Sequence, residues 1–186
     1  MVKTLVADCG EARKRWAILA IPGVEITHVP KEDIDLVAKT AKGLGAKLVT
    51  VHGETVVEPV EVGTNEAAVR SSAVDVLAHP GLIDHDHARL ASENGVYLEV
   101  SARKGHSLTN GHVVRIAKAA GALMVLDSDA HEPEDLLNPE LIRKIAKGAG
   151  LVDEEVHALL ELNPRSLLIR LGLDANLPAC DARSLS

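Results

Sequence analysis

The segment that decides the fold class is AVDVLAHPGLIDHDHARLASENGVYLEV, residues 73–100. It contains a short apolar run, a polar stretch with helical spacing, and a second apolar run. The two apolar runs are hydrophobic enough to be buried on both faces, as parallel strands are. Gly95 follows the polar stretch directly, and glycine is a common stop signal just past a helix. The segment therefore predicts one strand–helix–strand unit.

The same alternation extends through most of the chain. Further strand-type runs are AILAI (17–21), AKLVTV (46–51) and ALMVLD (122–127), and helical patterns lie between them at 32–45, 64–72 and 109–121. This repetition predicts an α/β fold of mostly parallel strands that right-handed crossovers wind into an arc or barrel. Two helical segments, 133–150 and 153–172, are expected to close a single domain over 1–174, and 175–186 is expected to be a loosely held tail.

Composition excludes several classes of protein. The net charge of −7 argues against a nucleic-acid surface, which needs a basic face. The apolar residues form short runs, so no membrane span is expected. Asp8 and Glu11 interrupt the stretch that a secretory signal would need to keep apolar. Cys9 and Cys180 lack metal-type spacing and fit reduced thiols. We expect a cytoplasmic protein.

Residues able to bind a metal follow the predicted strands. In parallel α/β folds the loops after the strands open on one face, so polar groups there converge. Each residue alone is compatible with a structural role. The prediction depends on the presence of such residues after several of the predicted strands. Nitrogen and oxygen ligands without cysteine favour zinc, manganese or iron in a catalytic site. The predicted ligands are Glu25, His52, His79, Asp129 and His131.

Two further loops carry predictions. Asp129 and His131 are two residues apart, so both can point into one cavity, whereas Asp127 is expected to face elsewhere in a structural role. The loop SARKGHSLTNGH (101–112) offers groups that suit an anionic phosphate ester, and its alternative is a solvated basic loop with a helix cap. The predicted substrate-binding residues are Ser101, Arg103, Lys104 and His106.

The motifs GVEITHVP, VTVHGE, LAHPG, LEVSARKGHSLTNGH and DSDAH, in this order, resemble the polymerase and histidinol phosphatase (PHP) family. The resemblance implies a distorted TIM-type (β/α) barrel and a metal-dependent phosphoesterase that hydrolyses a small phosphate monoester, as histidinol phosphatase does. It makes Glu25 a bridging carboxylate and His52 and His79 ligands of one ion. It makes Asp129 and His131 ligands of the others, with Glu25, Asp129 and His131 catalytic and Arg103 in contact with the phosphate.

The chain departs from the family pattern at its start. Family members begin with a strand that ends in His-x-His, and this chain has no histidine before His28. It therefore resembles a member without the first two units, whose barrel is incomplete at the N-terminus. Three protein ligands still suffice for a catalytic zinc ion.

Two alternatives follow from that departure, and a third is independent of it. The chain could be a truncated, non-catalytic PHP module that binds metal or anion, or one that completes its barrel with a partner chain. An amidohydrolase-like enzyme acting on C–N bonds would share the barrel and the ligands, but the Arg-Lys loop counts against it. An unpaired apolar edge at AILAI would favour either association or a rearrangement of residues 1–16 that covers it, and of the two we expect a homo-oligomer. The expected partner is a small phosphorylated metabolite.

Overall fold

The computed structural model describes residues 1–16 and 18–173 of the chain. In this part short strands alternate with helices. The strands are β1 (Gly23–Ile26), β2 (Leu48–His52), β3 (Val76–Ala78), β4 (Tyr97–Ser101) and β5 (Met124–Asp127). The α-helices are α1 (Val2–Arg15), α2 (Ile34–Gly43), α3 (Thr64–Arg70), α4 (His85–Asn94), α5 (Asn110–Ala120), α6 (Pro139–Gly148), α7 (Asp153–His157) and α8 (Asn163–Arg170). Short 3-10 turns lie at Lys31–Asp33, His106–Thr109 and Pro133–Asp135, and a π-helical segment, Ala158–Leu162, joins α7 to α8.

The strands form one five-stranded sheet in the order β1-β2-β3-β4-β5. Every neighbouring pair is parallel, with Glu25 beside Thr50 and Thr50 beside Val76. The carboxyl ends of all strands therefore lie at the same edge of the sheet. The predicted α/β class and parallel strands are confirmed. Closure into a barrel stays a prediction, since β1 and β5 are the edges of the described sheet.

The two faces of the sheet bury different side chains. Alternate residues such as Val49, Leu77 and Leu98 are fully buried in the main core, where the helices cover them. The residues between them face the other way, and there Tyr97 forms a smaller apolar cluster with Val76 and Val125. Because successive strand residues point to opposite faces, polar residues on the second face share one concave surface. That surface carries the candidate site.

The first strand lies later than the sequence predicts. Ala17 is outside the described residues, and residues 18–22 are not in a strand. The ladder begins only after Pro22, whose carbonyl accepts the backbone N–H groups of Lys47 and Leu48. The prediction of a strand at AILAI is wrong because an apolar run alone does not set strand register. One consequence is that Glu25 lies within β1 instead of in a loop after it.

The helical segments predicted after the last strand are confirmed as α6, α7 and α8. The side-chain amide of Asn163 donates to the carbonyl of Met124 in β5 at 2.7 Å, and Leu167 packs on the apolar cluster of the second sheet face. These contacts attach α8 to the sheet. The predicted tail at 175–186 lies outside the described residues. Within the described part, no helix combines the length and hydropathy of a membrane span.

Candidate metal centre

Three side chains from neighbouring strands converge at the carboxyl edge of the sheet. Glu25 comes from β1, His52 ends β2, and His79 follows β3 directly. One ligand atom from each of them lies within 4.8 Å of the other two. Glu25 Oε1 is 3.3 Å from His52 Nδ1 and 3.9 Å from His79 Nε2, and the two ring nitrogens are 2.9 Å apart. The structure therefore brings together the three residues predicted to share one ion.

The outer nitrogen of each histidine faces a hydrogen-bond acceptor. His79 Nδ1 lies 2.9 Å from Glu99 Oε2, and His52 Nε2 lies 3.2 Å from the carbonyl oxygen of Glu58. In the neutral imidazoles this network assigns each proton to the outer nitrogen, so the inner nitrogens keep their lone pairs. Two lone pairs and a carboxylate oxygen then face the same point. This arrangement suits a cation and is unfavourable without a positive charge between the three groups.

His79 adopts a backbone conformation that is uncommon for a residue with a side chain. Its φ is +30°, in a region that costs of order 1–3 kcal/mol for such residues. The Glu99 carboxylate stabilises the conformation, because its Oε2 also accepts the backbone N–H of His79 at 2.7 Å. Asp129 has a positive φ as well, at +46°. Strained backbone at two predicted ligands is consistent with selection for side-chain placement.

The charges of the three residues depend on one another. The hydrogen bond from His52 lowers the pKa of Glu25, and the same contact raises the pKa of His52. Burial lowers the pKa of His79. Because the pKa of His52 is raised, a divalent ion would compete with a proton for this site, as metals do when they bind histidine.

A second group of ligand-type atoms shares His79. His79, His106 and Asp129 each offer an atom within 4.8 Å of the others. The His106 ring stacks on that of His79 with centroids 4.0 Å apart, and its Nδ1 lies 2.7 Å from Thr55 Oγ1. The Thr55 contact directs Nε2 of His106 towards Asp129 Oδ2, 3.7 Å away. His106 was predicted as a substrate-binding residue, and the structure places it among the candidate ligands.

The remaining predicted ligand, His131, lies at the outer side of the site. Its side chain is 60% exposed and contacts both Asp129 and the guanidinium of Arg103. It belongs to neither group of converging ligand atoms found among the described residues. Arg103 also donates to the backbone carbonyl of Asp129 at 3.0 Å. His131 and Arg103 therefore form one surface cluster around Asp129, and the metal-binding role of His131 stays a prediction.

The other predicted substrate-binding residues differ in accessibility. Ser101 is fully buried at the end of β4, and the Asn110 side chain bonds both its backbone N–H and its carbonyl. Ser101 thus has a structural environment. Lys104 is exposed on the loop that follows β4. Of the residues predicted to contact a phosphate, Lys104 and the partly exposed Arg103 are the ones placed at the surface.

Sequence reasoning missed the place of two acidic residues in the site, the buried Glu99 and the solvent-accessible Asp127. Both line a cavity of about 240 Å³ together with Glu25, His79 and Asp129. The prediction that Asp127 faces elsewhere is wrong, because strand alternation in β5 turns it to the concave face. The cavity gives Asp127 access to solvent, yet burial by the surrounding protein, reinforced by the charge of Glu99, raises its pKa to about 9.

Burial likewise raises the pKa of Glu99, while nearby Asp127 and Ser101 lower it in part. The signal in the sequence was one acidic residue inside each apolar run, VYLEV and ALMVLD. Charged residues are rarely buried without a partner. An acidic residue within a run that predicts a fully buried strand therefore indicates a functional role for that residue.

Two glycines let the loops around His52 and His79 pack against each other. A Cβ on Gly53 would lie 2.5 Å from the carbonyl oxygen of Ala78, and one on Gly81 would lie 1.9 Å from that of Glu54. Gly81 also has a φ of +61°. Only glycine fits at such close approaches. The contact fixes the loop after β2 against the loop after β3, which sets the separation of the two histidines.

The chain is 46% identical over 170 residues to the uncharacterized protein MJ1295 of Methanocaldococcus jannaschii, an alignment of 91% of this chain and 78% of that protein. At this identity and coverage, the chain belongs to the same family as MJ1295. No protein-family model matches the chain.

More distant relatives carry the name probable phosphatase. One from Shewanella halifaxensis is 31% identical over 75% of this chain and 61% of its own length. One from Thermoanaerobacter sp. strain X514 is 29% identical over 73% of this chain and 62% of its own length. The chain thus spans about three fifths of the length of these two relatives.

Solved structures similar to this chain support the fold alone. A crystal structure of an amidohydrolase aligns with a TM-score of 0.56 at 18% identity, over 90% of this chain and 46% of that one. A crystal structure of an uncharacterized protein aligns with a TM-score of 0.57 at 14% identity, over 93% of this chain and 48% of that one. The chain spans about half of each aligned structure.

Proposed function

We propose that this chain is a metal-dependent phosphatase of the PHP type that hydrolyses a small phosphate monoester. The observation that carries the proposal is the convergence of Glu25 Oε1 with the inner ring nitrogens of His52 and His79. Three protein ligands with an open fourth position are the shell of a catalytic zinc ion, and manganese or iron would fit the same donors. The names of the distant relatives support phosphatase chemistry.

The chain's own residues would hold and tune that ion. The Glu99 carboxylate fixes the His79 ring and its tautomer, and the Glu58 carbonyl does the same for His52. Such outer contacts orient metal-binding histidines and raise their basicity. When bound, a divalent ion would supply a Lewis acid and a water activated at neutral pH.

The surface cluster around Asp129 gives the site its selectivity for an anion in this proposal. Arg103 and Lys104 lie on the loop after β4, beside the converging ligands. The Arg103 guanidinium contacts Asp129 and His131, so a phosphate would compete with these contacts for its N–H groups. Guanidinium groups bind phosphate oxygens in pairs, which favours a phosphate ester over a neutral amide as the substrate.

Metal analysis together with hydrolysis of a generic aryl phosphate tests the proposal. We expect the purified full chain to hold a divalent metal and to release phosphate, and chelation to abolish that release. His52→Ala should lose both metal and activity. His157→Ala is the matched control, because His157 lies at the end of α7 and its Nδ1 is 3.5 Å from Glu161 Oε1 in the next segment. Hydrolysis that survives both chelation and His52→Ala would contradict the proposal.

A non-catalytic module is the second candidate, and one observation favours it. Arg103, Asp129 and His131 contact one another, which is the state expected of residues that hold a loop together instead of receiving a substrate. A chain that binds metal through Glu25, His52 and His79 but hydrolyses no phosphate ester would support this alternative. The same titration and assay therefore separate the two candidates.

A further inference from the structure

The proposed ion leaves one feature of the cavity without an explanation. Glu99 is 1% exposed, and its Oε2 is occupied by His79. Its other oxygen, Oε1, is buried and has no hydrogen-bond partner among the described residues. An acceptor buried in this way loses its hydration without compensation, which costs more for a charged group than for a neutral one.

The charged groups that line the cavity are mostly acidic. Four carboxyl groups line it, and none of its described lining residues is lysine or arginine. Arg103 contacts Asp129 from outside, but Glu99 and Asp127 have no ion pair with lysine or arginine among the described residues. Glu99 pairs with Val125 across β4 and β5, so Asp127, two residues further along β5, turns its carboxyl group to the same face as that of Glu99. Two carboxylates that face the same cavity, one of them buried, are stabilised by a positive charge between them.

We propose that Glu99 Oε1 and the Asp127 carboxylate bind a second divalent cation, of the oxygen-preferring class to which Mg²⁺ and Mn²⁺ belong. Carboxylate and water oxygens suit these ions, and Mg²⁺ is commonly held by one or two carboxylates while it keeps several waters. The cavity of about 240 Å³ has room for those waters, since each takes up about 30 Å³. The inference goes beyond the proposed function, which needs only the ion at Glu25, His52 and His79.

The two ions would be connected through one side chain. Glu99 would use Oε2 to orient His79 towards the first ion and Oε1 to bind the second. Asp127 has no hydrogen bond to His79 among the described contacts, so it serves the second ion alone. The second cation thus depends on Asp127, and the first does not.

A titration of the metal-free full chain with Mn²⁺, in which electron paramagnetic resonance counts the free ion, tests the inference. We expect wild type to bind two Mn²⁺ per chain. Asp127→Asn should weaken one of them by at least about 10- to 100-fold, since the loss of an outer group that only orients a metal ligand already has an effect of this size. His52→Ala should weaken the other, and excess Mg²⁺ should displace only the ion that Asp127→Asn affects. Glu93→Gln, on the exposed face of α4, is the charge-matched control and should change neither.

Glu99→Gln should weaken the same ion as Asp127→Asn, but it also releases a contact of His79 and could loosen the fold. Asp127→Asn is therefore the variant that decides whether the second ion binds as proposed. Its circular dichroism spectrum is compared with that of wild type to show that the variant is folded. One bound Mn²⁺ in wild type, or two in Asp127→Asn with affinities within about twofold of wild type, would overturn the inference and show that the pair holds a proton only. Two bound Mn²⁺ without phosphate-ester hydrolysis would leave the inference standing and refute the proposed function.

Discussion

Replacing Gly81 with alanine tests whether the loops after β2 and β3 interlock as described. The new Cβ would lie 1.9 Å from the Glu54 carbonyl oxygen, and φ at this position is +61°. A left-handed conformation costs a residue with a Cβ about 1–2 kcal/mol, and forcing an atom into a packed region costs about 1–3 kcal/mol more. We therefore expect Gly81→Ala to lower the free energy of unfolding by about 2–5 kcal/mol.

Urea denaturation of the metal-free protein measures this change. Gly10→Ala is the matched control, because Gly10 lies inside α1 with nothing within 4 Å of its Cβ position. Alanine there should stabilise the chain by up to about 1 kcal/mol. Should Gly81→Ala prove as stable as wild type within about 0.5 kcal/mol, the loops do not pack as closely as described, and the placement of His79 beside His52 loses its structural basis.

Three further predictions concern the site. Thr55→Val should lower the free energy of unfolding by about 1–3 kcal/mol in urea, because it leaves a buried nitrogen of His106 unpaired. The folded-state pKa of Asp127, raised from 3.8 to about 9, means that its contribution to stability is complete below the lower value and is lost as pH rises towards the upper one. In thermal melts of the metal-free protein, the melting temperature should therefore fall more steeply between about pH 5 and pH 9 for wild type than for Asp127→Asn. Parallel curves of melting temperature against pH would contradict this. Arg103→Ala should raise the KM for an aryl phosphate more than Arg103→Lys does, and unchanged kinetics in both variants would exclude a role in phosphate binding.

Much of the fold could be predicted because parallel strands buried on both faces leave a strong pattern. Runs such as AKLVTV and VYLEV contain strands within a residue or two of their predicted bounds, and Gly95 ends α4 in a left-handed conformation as expected. AILAI had the same composition but failed, because the constraint that sets β1 is its pairing with β2 after Pro22. Pairing register depends on tertiary contacts that composition does not encode.

The site, like the fold, could be predicted only in part. Glu25, His52 and His79 could be predicted to meet because each was placed at or near the carboxyl end of a parallel strand. The contribution of Asp127 to the cavity could not be predicted, since its orientation depends on strand alternation counted from an uncertain strand start. The hydrogen bond that directs His106 towards Asp129 joins residues distant in sequence, Thr55 and His106, so no local pattern indicates it.

The central claim is that Glu25, His52 and His79 bind one divalent ion, and anomalous diffraction at the zinc edge from crystals grown with Zn²⁺ tests it most directly. We predict an anomalous peak about 2.0–2.2 Å from Glu25 Oε1, His52 Nδ1 and His79 Nε2. The absence of zinc from this position, with the two ring nitrogens in hydrogen bonds to protein groups instead, would contradict the account.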